Sequence, residues 1–285
     1  MVIIADSGAT KTDWFVCSGE RCDIIRTEGI NASTMDEEAV ESIVARFASR
    51  LHLPENVKLI RFYGAGLLSK ESCNRVKQAL ERYFPGSAIV LKSDLGAASE
   101  ALFPEQSGEY VAAILGTGSN SCLYRDGIPV RNIRPGGFIL GDEGSGASLG
   151  KLLLSDYFKG LVPEDLSKKM EERFDLRYEV VVEQVYRGAT PSRYLASFAP
   201  FLLENLDNEY VLALVEGNLR SFIERVLVQY ECSRIGIAGG LGYACKDILS
   251  RLGAGYGLHF ERFVKSPVEA LAGQSRKMRE QNNGI

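Results

Sequence analysis

The first hundred residues alternate between short apolar runs and longer amphipathic stretches. Five apolar or β-branched runs predict strands, at 2–5, 12–17, 22–27, 57–63 and 88–91. Apolar positions recur at helical spacing behind Thr34, where Glu37 completes a capping box, and again from Ser69 to Phe84. Three hairpin-forming strands followed by alternating helices and strands predict one complete α/β layer.

The pattern starts again near residue 110. Strands predicted at 110–115, 121–124 and 128–132 surround a turn of small residues at 116–120, as the first two strands surround a turn at 6–11. We interpret this as a degenerate internal duplication. The later chain is predicted to be mostly helical, with elements at 145–158, 192–205, 209–229 and 267–281 (helices), and 234–238 (strand).

Composition narrows the class of protein. A length of 285 residues, at roughly 150 per domain, predicts about two domains. A net charge of -4 leaves no basic surplus, so nucleic acid and anionic membranes are disfavoured as partners. Without an apolar run of about 18 residues no bilayer span is predicted, and the start lacks the pattern of a signal peptide. We therefore expect a cytoplasmic protein.

The cysteines and histidines suggest no metal centre. His52 and His259 are far apart in the sequence, without a second ligand at helical spacing, so a zinc site is not favoured. The cysteines are scattered without a C-x-x-C pair, and we expect thiols in a reducing compartment: Cys17, Cys22, Cys73, Cys122, Cys232 and Cys245.

The turn at 6–12 lies between two predicted strands and is rich in small residues. Its backbone amides and hydroxyls are suited to donate to phosphate oxygens, and Asp6, at the strand end, is placed to hold a magnesium ion through water. A lone turn of this kind is more often an ordinary hairpin turn. The spacing of a Walker loop, G-x-x-x-x-G-K-[ST], is absent.

Two further glycine clusters offer related chemistry. The turn at 115–120 repeats the small-residue pattern, and two such turns could bind a polyphosphate from both sides. The cluster at 237–242 follows a predicted strand and precedes a helix, where a nucleoside could lie against backbone without side chains. Taken alone, this cluster is better explained by close packing of helix against strand.

In this order, five stretches resemble the sugar kinase, Hsp70 and actin superfamily, and more closely the N-acetylglucosamine kinases of the BadF/BadG/BcrA/BcrD ATPase family. The stretches are ADSGATKT (5–12), SDLGAA (93–98), GTGSN (116–120), GGFILGDEGSG (136–146) and AGGLG (238–242). The resemblance implies an α/β fold of two RNase H-like lobes with ATP and Mg²⁺ in the cleft. The first lobe would comprise 1–108 joined by 268–285, and the second 109–267 with helical insertions.

The resemblance also implies roles for individual residues. The expected ligands of the ATP phosphates and adenosine are Ser7, Gly8, Thr10, Lys11, Thr12, Gly116, Thr117, Gly118, Ser119, Gly239 and Gly240. Asp94 matches the catalytic base, since a carboxylate at a strand end can accept the proton of a sugar hydroxyl. Asp94 is also a good N-cap for a helix starting near Leu95.

The sugar ligands are expected in several short segments. Asp142 lies in a run that opens a helix and can hydrogen-bond sugar hydroxyls. Asn31 is a candidate partner of a hydroxyl or acetamido group, and equally a candidate turn residue. Gly64, Ala65 and Gly146 are expected to line the same site.

The expected function is transfer of the γ-phosphoryl group of ATP to a hexose, most specifically to position 6 of N-acetylglucosamine. One alternative is a kinase for glucose or another amino sugar. Another is an ATPase activator of a redox enzyme, which needs an iron–sulfur cluster between subunits, although Cys232 and Cys245 are widely separated. A non-catalytic sugar sensor is a third. The C-x-C-G-x-x-G-C stretch of zinc-containing sugar kinases is absent. A homodimer is expected.

Overall fold

The fold consists of two α/β units that are each built on one sheet. The computed structural model of the protein describes residues 1–8, 11–19, 21–51, 54–64, 66–67 and 69–273. The first unit comprises Met1–Ala101 together with 266–273, and the second comprises Leu102–Lys265. The chain therefore leaves the first unit once and returns to it at its end.

The first unit holds a five-stranded sheet in the order β3-β2-β1-β4-β5. Its strands are β1 (Val2–Ser7), β2 (Lys11–Ser18), β3 (Arg21–Glu28), β4 (Leu59–Gly64) and β5 (Ala88–Lys92). Its helices are α1 (Glu37–Ala48), α2 (Lys70–Tyr83) and α3 (Asp94–Leu102). β1, β2 and β3 pair antiparallel, whereas β4 and β5 continue the sheet in parallel to β1. The predicted strands of this half are confirmed.

A buried aromatic pair joins the hairpin of β1 and β2 to α1. The Trp14 ring stacks on Phe47 with 4.0 Å between ring centroids, and its indole Nε1 donates to Thr27 Oγ1 at 2.9 Å. Both rings are fully buried. Stacked aromatic side chains in a core contribute beyond their buried area, so this pair fixes β2, which carries part of the first glycine turn.

The second unit repeats the same topology. Its sheet has the order β10-β9-β6-β7-β8, formed by β6 (Glu109–Leu115), β7 (Ser119–Arg125), β8 (Ile128–Asn132), β9 (Arg234–Ala238) and β10 (His259–Val264). β6, β7 and β8 are antiparallel, and β9 and β10 follow β6 in parallel. The predicted α/β fold and its internal duplication are therefore confirmed. β10 was not predicted from the sequence.

Helices between β8 and β9, and between β9 and β10, complete the second unit. They are α4 (Gly137–Leu140), α5 (Gly146–Tyr157), α6 (Glu164–Arg173), α7 (Tyr178–Tyr186), α8 (Pro191–Ala196), α9 (Ala199–Glu204), α10 (Glu209–Arg225), α11 (Gly240–Ala244) and α12 (Lys246–Ala254). Short 3-10 turns lie at Pro54–Asn56 and Leu227–Tyr230. The predicted last helix is observed at 267–273. Its predicted continuation to 281, like His52, lies outside the described residues.

Several element boundaries differ from the prediction. α1 begins at Glu37 behind Asp36, whose Oδ1 accepts from the Ala39 amide at 2.8 Å, so Thr34 is not its N-cap. The helix predicted at 192–205 is two helices, and residues 240–242 of the predicted turn at 239–242 already belong to α11. Among the described residues, no helix has both the length and the apolar character needed to cross a bilayer.

The expectation that all six cysteines are thiols is wrong for one pair. Cys17 and Cys22 form a disulfide across β2 and β3, with their Cα atoms 4.1 Å apart. The hairpin register places them directly opposite each other, which is the arrangement that brings two side chains into bonding range. The remaining cysteines are thiols, at 73, 122, 232 and 245.

Candidate functional site

The first glycine turn lies between the ends of β1 and β2, where Ser7 pairs with Thr12. Both side chains are buried, and their hydroxyl oxygens are 2.7 Å apart. Ser7 Oγ also accepts from the Ile30 amide at 2.8 Å, and Thr12 Oγ1 donates to the Glu28 carbonyl at 3.1 Å. The two hydroxyls thus hold the turn to the segment after β3.

The rest of this turn combines a tight backbone with surface charge. The Gly8 amide donates to the Lys11 carbonyl at 3.0 Å. The Lys11 ammonium group pairs with Asp13, which Arg26 also contacts. Burial opposes ionisation of Asp13, but hydrogen bonds from these two cations outweigh it and lower its pKa. Thr10 lies outside the described residues.

Asp6 lies at the end of β1 and is a candidate metal ligand. Burial, followed by the charge of Asp13, raises its pKa to about 6. Among the described residues, no group of three or more His, Cys, Asp or Glu side chains is arranged to hold a metal. Mg²⁺ in nucleotide sites needs only one or two carboxylates beside phosphates and water. The oxygen donor of Asp6 fits that kind of ion.

Asp94 is the first residue of α3, directly after β5. Its Oδ1 accepts from the Leu95 amide at 2.8 Å, while Ser93 Oγ accepts from the Gly96 amide at 3.2 Å. The sequence suggested Asp94 as the N-cap of this helix. In the structure it is Ser93 that makes the capping contact, with the third amide of the helix. Burial raises the pKa of Asp94 against the lowering effect of the amide hydrogen bonds. The result is a fixed carboxyl that binds protons more strongly than usual, as a general base requires.

A polar cluster on the same helix holds α3 against the sheet. Glu100 accepts from the Tyr63 hydroxyl at 2.6 Å and forms ion pairs with Lys92 and Arg61. At Gly96 a Cβ atom would lie 2.9 Å from the Lys92 Cβ, so the missing side chain permits the close approach. Sequence reasoning missed this cluster, because its members come from β4, β5 and α3.

Asn31 is held in a turn by its own side chain. Its Oδ1 accepts from the Ser33 amide at 3.1 Å and from the Ser33 hydroxyl at 2.8 Å, so it is a turn residue. Gly66, at φ +80°, packs against the same carboxamide where a side chain would collide. The Nδ2 group of Asn31 has no hydrogen-bond partner among the described residues and remains available as a donor. Gly64 ends β4, and Ala65 lies outside the described part of the chain.

The second glycine turn is docked on the start of α5. The Gly116 amide donates to the Gly118 carbonyl at 3.0 Å, which closes the turn. Gly146 and Ala147, the first residues of α5, donate their amides to the carbonyls of Gly116 at 2.8 Å and Thr117 at 3.0 Å. The predicted sugar ligand Gly146 thus contacts the predicted phosphate turn through its backbone.

Asp142 links the predicted sugar segment to the second turn. It is 7% exposed, and its Oδ1 accepts from the Ser119 amide at 3.4 Å. A Cβ atom at Gly118 would lie 3.1 Å from its other oxygen, so the glycine makes room for the carboxylate. Burial raises the pKa of Asp142, and the charge of Glu143 raises it further. The hydrogen bond from the Ser119 amide and the charge of Lys151 act in the opposite direction and lower it. This arrangement was not evident from the sequence.

The third glycine cluster serves packing and leaves one open position. Gly239 has φ +108°, and a Cβ atom there would collide with the Leu115 carbonyl oxygen. Its amide donates to the Val264 carbonyl at 2.9 Å. A Cβ at Gly242 would collide with Ile237, whereas one at Gly240 would meet nothing within 4 Å. Close packing accounts for Gly239 and Gly242, whereas the backbone at Gly240 is accessible.

Burial disfavours the thiolate form of the two cysteines considered for a cluster. Burial raises the pKa of Cys245 to about 11 and also raises that of Cys232. A metal or cluster binds the thiolate form. Neither environment favours that form.

Several solved structures similar to this chain are sugar kinases or candidate sugar kinases. A candidate N-acetylglucosamine kinase from Porphyromonas gingivalis is 31% identical, with a TM-score of 0.89, covering 97% of this chain and 99% of that one. A candidate N-acetylglucosamine kinase from Chromobacterium violaceum is 19% identical, with a TM-score of 0.71 and coverage of 95% and 97%. A ROK family glucokinase from Streptomyces griseus, solved with glucose and AMPPNP, is 12% identical, with a TM-score of 0.58 and coverage of 97% and 99%. The last two identities support the fold alone. No protein-family model and no curated protein sequence matches the chain.

Proposed function

Because the chain belongs to the sugar kinases of the actin-like ATPase superfamily, we propose that it transfers the terminal phosphoryl group of ATP to N-acetylglucosamine. The acceptor in this proposal is the hydroxyl at position 6. The carrying observation is the 31% identity, over nearly the whole of both chains, to the candidate N-acetylglucosamine kinase from P. gingivalis. Within the superfamily, the five motif stretches favour the BadF/BadG/BcrA/BcrD type.

Asp94 is the proposed general base. Phosphoryl transfer depends mainly on positioning and on charge stabilisation, and one carboxylate suffices to accept the proton of the attacking hydroxyl. The Leu95 amide holds Oδ1, and the second oxygen of the carboxyl would accept the proton of the substrate hydroxyl. The raised pKa of Asp94 brings its basicity closer to neutral pH, where a proton acceptor works best.

The two glycine turns and the third cluster are the proposed ATP ligands. In the first turn the Lys11 ammonium group and the backbone of the turn would contact phosphate oxygens. In the second, the backbone of 116–119 would do so, and Gly240 offers open backbone to the nucleoside. Turn amides that converge on one point form concave anion sites, which supports these roles.

Asp6 would hold Mg²⁺, either directly or through water. When bound, the ion neutralises charge on the phosphates and orients them. The carboxyl of Asp6 has a pKa of about 6, so a neighbouring cation would favour its ionised form. This residue needs no further protein ligand in a nucleotide site, since phosphates and water complete the coordination.

The sugar would be bound by one side chain that donates hydrogen bonds and one that accepts them. The Nδ2 donor of Asn31 suits a hydroxyl or the carbonyl of an acetamido group. The Asp142 carboxylate suits sugar hydroxyls as an acceptor, and the backbone at Gly64, Ala65 and Gly146 would border the ligand. A site that hydrogen-bonds an acetamido group rejects sugars that lack it, because its polar groups are then left unpaired.

A coupled ADP-release assay tests the proposal. The purified full chain is mixed with Mg²⁺ and ATP, and ADP release is compared without sugar and with N-acetylglucosamine, glucosamine, N-acetylmannosamine or glucose. Strong stimulation by N-acetylglucosamine alone supports the proposed substrate. Strong stimulation by another sugar keeps the kinase and changes its substrate, and slow release that no sugar changes contradicts the kinase proposal.

A further inference from the structure

A buried asparagine in the middle of α10 holds the loop that carries Asp142. Asn218 is 3% exposed, and its Oδ1 accepts from the Gly144 amide at 3.2 Å. Its Nδ2 donates to the Ser145 carbonyl at 3.2 Å. One helical turn further on, Phe222 packs so closely that a Cβ at Gly144 would lie 2.7 Å from the Phe222 Cβ. Two side chains of one helix face thus fix two consecutive loop residues.

A short chain of contacts leads from these residues to the candidate site. The Ser145 amide donates to the Asp142 carbonyl at 3.1 Å, and the Ser145 hydroxyl caps α5 by accepting from the Ser148 amide at 3.1 Å. Asp142 in turn accepts from the Ser119 amide of the second glycine turn. A shift of 144–145 would therefore move the Asp142 carboxylate and the start of α5 together.

Asp142 needs such support because its backbone is strained. It has φ +56°, in the left-handed region, which residues other than glycine rarely adopt and which aspartate tolerates better than most. Residues in that region keep their conformation only where the surrounding structure holds them. The hydrogen bonds of Asn218 to Gly144 and Ser145 are placed to supply that restraint.

Stability of α10 does not explain this asparagine. Asparagine is a weak helix former, and a buried polar side chain is favourable only when its hydrogen bonds are satisfied. The carboxamide offers one donor and one acceptor side by side, which matches the adjacent N–H and C=O groups of the loop. An ionised aspartate or a leucine at this position would lack one or both of them.

We propose that Asn218 is a positioning residue that aligns Asp142, through Gly144 and Ser145, with the sugar and with the second glycine turn. This inference rests on the proposed kinase function for its kinetic part. Among the described residues, the side-chain hydrogen bonds of Asn218 go to Gly144 and Ser145, so its effect would be transmitted through the loop.

The experiment compares Asn218→Leu with Asn208→Ala in the full chain. Asn208 is the N-cap of the same helix, accepting from the Tyr210 amide at 3.0 Å, and it does not contact the loop. Both changes should lower the melting temperature by about 2–4 °C. Two further quantities are measured: kcat and KM for each substrate, and amide hydrogen exchange in the peptide covering 141–146.

The positioning role predicts different results for the two variants. For Asn218→Leu we expect kcat/KM for the sugar to fall on the order of 10²-fold, because misplacement of about 1 Å has that effect. We also expect faster exchange in 141–146. Asn208→Ala should leave both quantities near those of the wild type. Equal kinetics and equal exchange in the two variants would overturn the proposal and leave Asn218 a structural role only.

Two complications are covered by the same design. If Asn218→Leu does not fold, Asn218→Ser removes the carboxamide while leaving room for water, and the same comparison applies. If the wild type shows no sugar-stimulated ADP release, the kinase proposal fails by itself, and exchange in 141–146 still tests the loop restraint. Exchange that is unchanged in the Asn218 variant would then overturn it.

Discussion

Replacing Asp94 with asparagine removes the proposed base while preserving the shape of the site. The asparagine Oδ1 can still accept from the Leu95 amide, which now binds the carboxylate at 2.8 Å. Ser93, not Asp94, makes the capping contact with the Gly96 amide. The change therefore removes charge and proton affinity and leaves the start of α3 intact.

The expected kinetic effect is large and confined to turnover. A positioned general base contributes on the order of 10²–10⁴-fold to rate, so we expect kcat to fall by about 10³-fold, equivalent to about 4 kcal/mol in activation free energy. ATP binding, measured by calorimetry without sugar, should stay close to wild type. ADP release with the sugar identified in the panel measures kcat.

The same change should not weaken the fold at neutral pH. Burial raises the pKa of Asp94, so the protonated carboxyl is favoured in the folded protein. The protonated Asp94 carboxyl contributes fully to stability below the unfolded-state pKa of about 3.9. That contribution is lost as the pH rises through the higher pKa that Asp94 has in the folded protein. Since asparagine stays neutral, the variant should melt at or above the wild-type temperature at pH 8. That advantage should disappear towards pH 4.

The control for this experiment is Asp36→Asn. Asp36 is an exposed aspartate in the same unit, and its side chain caps α1. Its replacement therefore alters a carboxylate at a helix start that is not part of the proposed site. It should leave kcat unchanged. The reasoning is refuted if Asp94→Asn keeps wild-type kcat. It is equally refuted if kcat falls only together with a lower melting temperature at pH 8, because the loss would then be structural.

Two stability predictions concern the glycine and cysteine residues. Gly239→Ala should cost roughly 2–4 kcal/mol in urea unfolding, because φ is +108° and the new Cβ would collide with the Leu115 carbonyl. Gly240→Ala, which meets nothing within 4 Å, is the matched control, and equal losses would contradict the packing argument. Cys17→Ser should cost about 2 kcal/mol, the entropic value for a short loop, and dithiothreitol should reproduce that loss in the wild type. A wild type insensitive to the reductant would show that Cys17 and Cys22 are not bonded.

The strands and their duplicated order were predictable because local pattern and burial agree. β1 and β6 are continuous apolar runs, as central strands require. β10 escaped prediction because it is an edge strand with little burial. Its sequence is interrupted by Glu261 and Arg262, and the Arg262 side chain donates to the Leu102 carbonyl at 2.8 Å. Its position depends on pairing with β9, which the local sequence does not reveal.

At the start of α1, a neighbouring turn prevents the helix start that the capping-box pattern predicts. Thr34 and Glu37 match a capping box, but the amides of Thr34 and Met35 both donate to the Asn31 carbonyl. The chain is therefore still turning at Thr34, and Asp36 is the first residue that can cap the helix. The contacts of Asn218 were equally hidden, since its partners lie 73 and 74 residues away in the sequence.

The two glycine turns share a topology but differ in what supports them. Ser7 pairs with Thr12 in the first, and Leu115 pairs with Ser119 in the second, each at the end of an equivalent hairpin. The first turn is held by its own hydroxyls. The second is held by the start of α5 and by the Asp142 carboxylate, so its geometry depends on the loop that carries a proposed sugar ligand. In the proposed reaction, one carboxylate would therefore influence both the sugar and the phosphates, which is why a residue behind that loop can affect catalysis without touching either substrate.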